Sequence, residues 1–242
     1  LLNVFKKSIS FMKKKDLLII IPARSGSKGI KNKNIIKINN KPLIYYSIKF
    51  SLKFKKKNSV LFCSTDSRKI KNICEEYNLK IPFLRPKNIS KDRSRDIEYL
   101  NHTLKEFNKI GLRFSNCLIL RPTSPLRSVK ILDLAYKKFK RKKFDSLRSI
   151  ILSPYPIYKQ WFINKDFIKP VIKSGIKEQY NAPRQILRKT YAQSGNFEFI
   201  KINYKTKLKS FSGKRIGYYI TPQKFECDKD ELSDISKYVL KR

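Results

Sequence analysis

The sequence predicts a three-layer α/β/α fold, Rossmann-like and built on a mostly parallel sheet. Leu17–Ala23 (LLIIIPA) is apolar at every position, as a strand buried on both faces requires. A glycine-containing loop follows, and Pro42 then opens a helix through Phe54 with Leu43, Ile44, Ile48 and Leu52 on one stripe. The same strand, loop and helix rhythm recurs as far as Arg141, and such alternation is the signature of parallel pairing through helical crossovers.

Taken in order, residues 1–15 (LLNVFKKSISFMKKK) read as a basic extension without the longer apolar stretch and cleavage site of a secretory signal. Met12 is the only methionine, and residues 1–11 are expected to lie upstream of a translation start there; the alternative is a short basic arm. After the first strand and helix, Ser59–Ser64 is expected to be a strand, with Asp66 capping a helix through Tyr77. Ile81–Leu84 reads as a short strand, Asp96–Phe107 as a helix, Asn116–Leu120 as a strand and Ser128–Arg141 as a helix. The rhythm breaks after Phe144. Ser153–Tyr191 is rich in Pro, Tyr, Lys and Asn without a helical stripe, and is expected to be an excursion from the sheet. Gly195–Ile202 and Ile216–Thr221 read as returning strands, and Glu231–Leu240 as a closing helix with Leu232, Ile235 and Val239 on one face. The organisation expected is a core of residues 16–143 and 192–242 with an inserted segment at 144–191.

Composition excludes several classes. At 242 residues, with 40% hydrophobic and 12% aromatic residues, the chain can bury a sizeable core and is no disordered basic tail. Its longest purely apolar run, Leu17–Ile21, is far short of the roughly 20 residues of a membrane span. Cys63, Cys74, Cys117 and Cys227 are scattered without a CxxC pair, and His102 is alone, which argues against structural zinc and for a reducing cytoplasm. The formal charge of +39 raises the alternative of a nucleic-acid-binding protein. Lysine, however, is spread through nearly every segment and accompanied by abundant Asn, Ile, Phe and Tyr, a pattern of compositional drift; no specific nucleic-acid partner and no membrane partner is expected.

Chemistry is written in two places. In Pro22–Asn34 (PARSGSKGIKNKN) a loop leaves a buried strand with Gly26 and Gly29, whose missing side chains let backbone N–H groups approach an anion, while Arg24, Lys28 and Lys33 add positive charge. It suits a triphosphate, yet is neither a Walker A loop nor a GxGxxG fingerprint; the plainer alternative is a basic surface turn. The second is Asp228-Lys-Asp-Glu-Leu-Ser-Asp234, which gathers four of the 18 acidic residues. On an extended segment Asp228 and Asp230 point the same way and can share a hard cation such as Mg²⁺, or the acids may simply favour the start of the last helix through its dipole. A basic glycine loop with an acidic pair is the equipment of metal-assisted nucleotidyl transfer.

These residues resemble the acylneuraminate cytidylyltransferases, the CMP-N-acetylneuraminic acid synthetases, in order from about Lys15 to Leu240: IIPARSGSKGIKNKN (20–34), STD (64–66), FLRP (83–86), RPTSPLR (121–127), PRQ (183–185), SGNFEFI (194–200) and CDKDELSD (227–234). The resemblance implies a nucleotidyltransferase fold with an inserted dimerisation segment, and transfer of CMP from CTP to a nine-carbon acidic sugar with release of pyrophosphate. It assigns Arg24, Ser27, Lys28, Lys33 and Asn34 to the nucleotide loop and Arg85 to the cytosine. Arg121, Pro122, Thr123, Ser124 and Arg127 fall in the sugar segment, Arg184 and Gln185 face the acidic sugar, and Asp228 and Asp230 hold the metal. Arg24, Lys28, Lys33 and Asp228 are the residues it implies for catalysis. A homodimer is implied too, with Tyr155, Tyr158, Trp161 and Phe162 of the insert at the contact. Four departures lie on the sugar side: Arg121 stands where Gln is usual, Ser194 where Asn is, and Ala192 and Glu198 where Arg or Pro and Tyr are common. CTP is thus better supported than any one acid; sialic, pseudaminic, legionaminic and other 3-deoxy sugar acids stay open.

Overall fold

The computed structural model describes residues 13–26, 30, 32–203 and 206–225. Strand β1 (Lys13–Pro22) is followed by a minor antiparallel ribbon, β2 (Lys37–Ile38) with β3 (Lys41–Pro42), and helix α1 (Leu43–Phe54). Then come β4 (Ser59–Ser64), α2 (Arg68–Glu76), α3 (Asp96–Lys109), β5 (Leu112–Ile119), α4 (Val129–Arg141) and β6 (Ser146–Leu152). A hairpin of β7 (Trp161–Asn164) and β8 (Phe167–Pro170) precedes β9 (Tyr191–Lys201) and β10 (Ile216–Ile220). The main sheet has six strands in the order β10-β6-β9-β5-β1-β4. β1 pairs in parallel with β4 and β5, and β6 with β10; β9 runs antiparallel to both its neighbours. This is the mostly parallel α/β sheet the sequence predicts.

The core forms where the pattern is most apolar. Leu17, Leu18, Ile19, Ile20 and Ile21 are all fully buried, because β1 lies inside the sheet with a ladder on each side. Each such side chain contributes about 1.5–3 kcal/mol relative to exposure. Helix α1 buries Leu43, Ile44, Ser47, Ile48, Phe50, Ser51 and Phe54, and Leu52 of the expected stripe is instead exposed. Helix α4 is capped by Ser128, whose hydroxyl accepts from the Ile131 N–H at 3.4 Å, and lays Leu132, Ala135 and Phe139 on the sheet.

Four local expectations are corrected. Ser67, not Asp66, caps α2, its hydroxyl accepting from Ile70 N–H at 3.3 Å; Asp66 is engaged elsewhere. Ile81–Leu84 is not a strand: Pro82 has no N–H to give, the Ile81 N–H goes to the Glu75 carboxylate at 3.4 Å and the Arg85 N–H to the Thr65 carbonyl at 2.7 Å. Ser146–Leu152 is a sheet strand although Ser146, Arg148 and Ser149 interrupt its apolar pattern, so the excursion starts at Ser153 rather than at 144. β9 starts at Tyr191, before Gly195, and carries an irregularity: Arg148 pairs with Glu198 and Ile150 with Gln193, so Ser194–Phe197 bulge opposite Ser149. Gly195 takes φ 67° within that bulge, which a side chain would resist. Met12 and Glu231–Leu240 lie outside the described residues.

Candidate functional site

Ligands of open α/β sheets bind beyond the carboxyl ends of the strands. There, past β4, β1 and β5, lies a pocket of about 360 Å³. It brings together Arg24, Lys33, Asn34, Arg85, Arg121, Pro122 and Thr123 from the sequence expectation. Ile89, Lys91, Ser94, Asp96 and Tyr99 complete the wall, so its lining carries five cations against one carboxylate, a field suited to an anionic ligand.

The first wall is the loop after β1. Asn34, itself buried, donates its side-chain N–H to the Arg24 carbonyl at 2.9 Å. The Arg24 guanidinium contacts Asp92 at 2.8 Å. Asp66, at the end of β4, accepts from the Ser25 N–H at 2.8 Å and from its hydroxyl at 2.6 Å, fixing the loop's departure. A Cβ on Gly26 would meet nothing within 4 Å, so this stretch borders open space. Ser27 and Lys28 lie outside the described residues.

Arg85 is no surface charge. Only 6% exposed, it donates through Nε to the Ser64 hydroxyl at 3.1 Å and through Nη2 to the Ser64 carbonyl at 2.6 Å, and its guanidinium lies 4.7 Å from the Tyr99 ring centroid. Burial lowers its pKa, and Tyr99, Cys63, Asp66 and Asp96 oppose that shift. Tyr99 is pushed the other way: burial, with the charge of Asp96, raises its hydroxyl well above the usual value, so it stays neutral.

The far wall is built across β5 and β9. Arg121 donates to Glu198 at 2.8 Å and to Asp96, and Gln193 donates to the same Glu198 oxygen at 2.8 Å. Burial works against the Arg121 charge, but Tyr99, Glu198 and Asp96 outweigh it and raise its pKa. Next to this, Arg127 ties three segments: Nε to the Asn196 carbonyl at 2.8 Å, Nη1 to the Ser47 hydroxyl at 3.0 Å and Nη2 to the Arg121 carbonyl at 2.6 Å. Ser124 is buried under the pocket and donates to the Gly195 carbonyl at 3.3 Å, so it supports the wall rather than lining it.

The family model described as cytidylyltransferase matches residues 18–188. The chain belongs to the cytidylyltransferase family. Among its relatives is the pseudaminic acid cytidylyltransferase of Campylobacter jejuni, 29% identical over 222 residues that cover 90% of this chain and 92% of that protein. The CMP-N,N'-diacetyllegionaminic acid synthase of Legionella pneumophila is 32% identical over 140 residues, 57% of this chain and 60% of the relative. The crystal structure of the 4-diphosphocytidyl-2C-methyl-D-erythritol synthase of Anaerococcus prevotii shares the fold, with a TM-score of 0.61 at 12% identity over 94% of this chain and 99% of that one. This cytidylyltransferase is therefore a nucleotidyltransferase enzyme.

Not every expected residue reaches the pocket of the cytidylyltransferase. Arg184 and Gln185 are exposed, in the excursion, and do not line it. Asp228 and Asp230 lie outside the described residues, which contain no cluster of three or more His, Cys, Asp or Glu placed for a metal. Among the described residues no helix is long and apolar enough to cross a membrane. Asp92, Asp96 and Tyr99 are not among the site residues expected from the sequence. The signal for the first two was available: in a chain with 18 acids, two of them four positions apart after the FLRP segment call for a reason, as Asp228–Asp234 did.

Proposed function

We propose that this cytidylyltransferase couples CTP to a nonulosonic acid, a nine-carbon acidic sugar, giving the CMP-sugar and pyrophosphate. The carrying observation is the convergence of Arg24, Lys33, Arg85 and Arg121 on one pocket at the carboxyl end of the sheet. The named relatives supply the acceptor class.

The roles follow position across the sheet. Arg24, Lys28 and Lys33, with Ser27 and Asn34 in the same loop, hold the triphosphate, and Arg85, rigidly bonded to Ser64, faces the base. Arg121 and Thr123 face the sugar, with Ser124 behind them. The anomeric hydroxyl attacks the α-phosphorus in line and gives up its proton to solvent, the bond to the bridging oxygen breaks, and pyrophosphate leaves with its charge against the loop cations; positioning and fixed charge supply the rate. Asp228 and Asp230 are hard oxygen donors two positions apart, a set that fits Mg²⁺. The described chain ends at Phe225, whose carbonyl accepts from Asn196 at 3.4 Å on the bulge of β9. Bound Mg²⁺ would supply charge neutralisation at the phosphates.

The partner in this reading is a second copy. The hairpin of β7 and β8 leaves Phe162, Ile163, Phe167 and Ile168 at 61%, 85%, 74% and 57% exposure, and Arg184 and Gln185 lie exposed in the same excursion. A homodimer that covers the hairpin would carry Arg184, whose fork suits a carboxylate, toward the neighbouring pocket. The free thiols of Cys63, Cys74 and Cys117 support a reducing cytoplasm as the site of the reaction.

The test is pyrophosphate release with CTP, Mg²⁺ and a panel of nonulosonic and 3-deoxy sugar acids. Turnover is expected with a nonulosonic acid and lost in Asp228→Asn and Asp230→Asn with thermal stability unchanged. Release with none of the acids would refute the reading, and near-normal turnover of both variants would refute the metal role.

A further inference from the structure

The acceptor half of the pocket contains a charge arrangement that the assignment of Arg121 to the sugar does not explain. A guanidinium facing an acidic sugar invites pairing with its carboxylate. Here that guanidinium is already engaged twice. Glu198, 1% exposed, takes it from behind, and Asp96 takes it on the pocket side, where the Asp96 side chain is 42% exposed. Glu198 is itself held by Gln193 at 2.8 Å and lies 3.9 Å from Arg148, while its second oxygen has no partner. An incoming carboxylate would therefore meet a compensated cation with an anion beside it, and an acceptor-only group cannot satisfy Asp96. An amide can: its N–H gives to Asp96 while its carbonyl accepts from Arg121. Such a pair of opposite hydrogen bonds selects against a ligand that cannot make both, since it would cover Asp96 without replacing the water that its 42% exposed side chain now meets.

We infer that Asp96 and Arg121 form a donor–acceptor pair that reads an acylamino substituent of the sugar rather than its carboxylate, and that Glu198 is the positioning residue that fixes Arg121 for that task. The inference rests on the proposed coupling of CTP to a nonulosonic acid and narrows its acceptor. Position in the sheet supports the assignment: Arg121 follows β5 and Glu198 is on β9, whereas the nucleotide loop follows β1 and Arg85 is tied to β4. Arg121 and Glu198 bond to each other at 2.8 Å, so each compensates the charge of the other on this wall.

The experiment compares KM for CTP and for two acids in pyrophosphate release: N,N'-diacetyllegionaminic acid, which carries acylamino groups, and a 3-deoxy sugar acid with hydroxyls alone, read as an inhibition constant if it is not turned over. Asp96→Asn should raise KM for the acylamino acid about tenfold or more, change the hydroxyl acid less than threefold and leave KM for CTP within about twofold. If Arg121 instead held the sugar's carboxylate, removing the competing Asp96 charge would tighten binding of both acids, and that result overturns the inference. Glu198→Gln should also raise KM for the acylamino acid, and the Arg121→Gln/Glu198→Gln double variant should be no worse than Arg121→Gln alone. Fully additive losses would remove Glu198 from its positioning role. Equal losses for both acids, with Tm unchanged, would likewise reject amide reading while leaving the coupling reaction standing. Wild-type enzyme that turns over neither acid nor any other would reject the coupling reaction itself.

Discussion

Asp66 holds the Ser25 N–H and hydroxyl with its two carboxylate oxygens, and in doing so sets the direction in which the phosphate loop leaves β1. Hydrogen bonds to a charged group are worth about 1.5–3 kcal/mol each, but this pair is exposed and the lower end applies. Asp66→Ala should thus weaken CTP binding about tenfold while leaving α2 intact, since Ser67 supplies its cap. Calorimetric titration with CTP would measure it, and unchanged affinity would show that the loop holds its shape without Asp66. A single side chain also explains what motif reading cannot see. Arg85 follows a readable FLRP motif, but its burial against Ser64 and Tyr99 depends on contacts 21 and 14 positions away in opposite directions. The pairing of Arg121 with Asp96 and Glu198 spans 25 and 77 positions and follows from no local pattern.

Among the elements, those with uniform faces were legible and those with mixed faces were not. β1 and α4 follow directly from apolar spacing. β6 is hidden because Ser146, Arg148 and Ser149 face partners that sequence does not reveal: the Ser149 hydroxyl accepts from the Phe197 N–H at 3.1 Å and donates to its carbonyl at 3.0 Å, sealing the bulge of β9. Ile81–Leu84 imitates a strand by composition, while its backbone is satisfied by a carboxylate and a turn. Asp16 shows how elements are locked together: on β1, it accepts from Asn116 on β5 at 3.0 Å, from Tyr136 and from Lys140 on α4 at 2.9 Å. Burial tends to raise its carboxyl, but the hydrogen bonds from Lys140 and Tyr136 and the Lys140 charge outweigh it and lower the pKa. The folded protein then binds this proton less tightly than the unfolded chain. The stabilisation is complete above the unfolded value of about 3.9 and is lost as pH falls through the lower folded value. Because the Lys140 pair is partly exposed and screened, Asp16→Asn should cost about 1 kcal/mol or less at pH 7, a Tm loss of about 2–4 °C. The loss should shrink as pH falls below about 3.9 and through the lower folded value; an equal loss at neutral and at acid pH would assign the effect to packing.

For the whole molecule, the +39 charge bears on the proposed dimer. Two highly basic copies repel, so association has to come from apolar area, and the hairpin of β7 and β8 offers it at its tip, Ile163 and Phe167. Ile163→Lys with Phe167→Lys should shift the species seen by light scattering from dimer to monomer, with the unfolding transition of the sheet retained. If Arg184 serves the neighbouring pocket, the monomer should need at least tenfold more sugar while its CTP affinity stays within about twofold. A monomeric wild type, or a monomeric variant with unchanged sugar KM, would separate the hairpin from catalysis.

Among the described residues, β9 is the one strand of the main sheet that runs against the rest, and it joins β5 to β6. During synthesis, the block of β1, β4 and β5 is complete long before β9 emerges, and Cys117, Leu118 and Ile119 wait at an open ladder for Ile200, Phe199 and Glu198. The nascent chain thus passes through a stage with an apolar, unpaired edge that lasts for the length of the excursion. A chain interrupted before Tyr191 would retain that edge permanently and be prone to edge-to-edge aggregation. Emergence of β9 joins β5 to β6 and completes the acceptor wall in the same event.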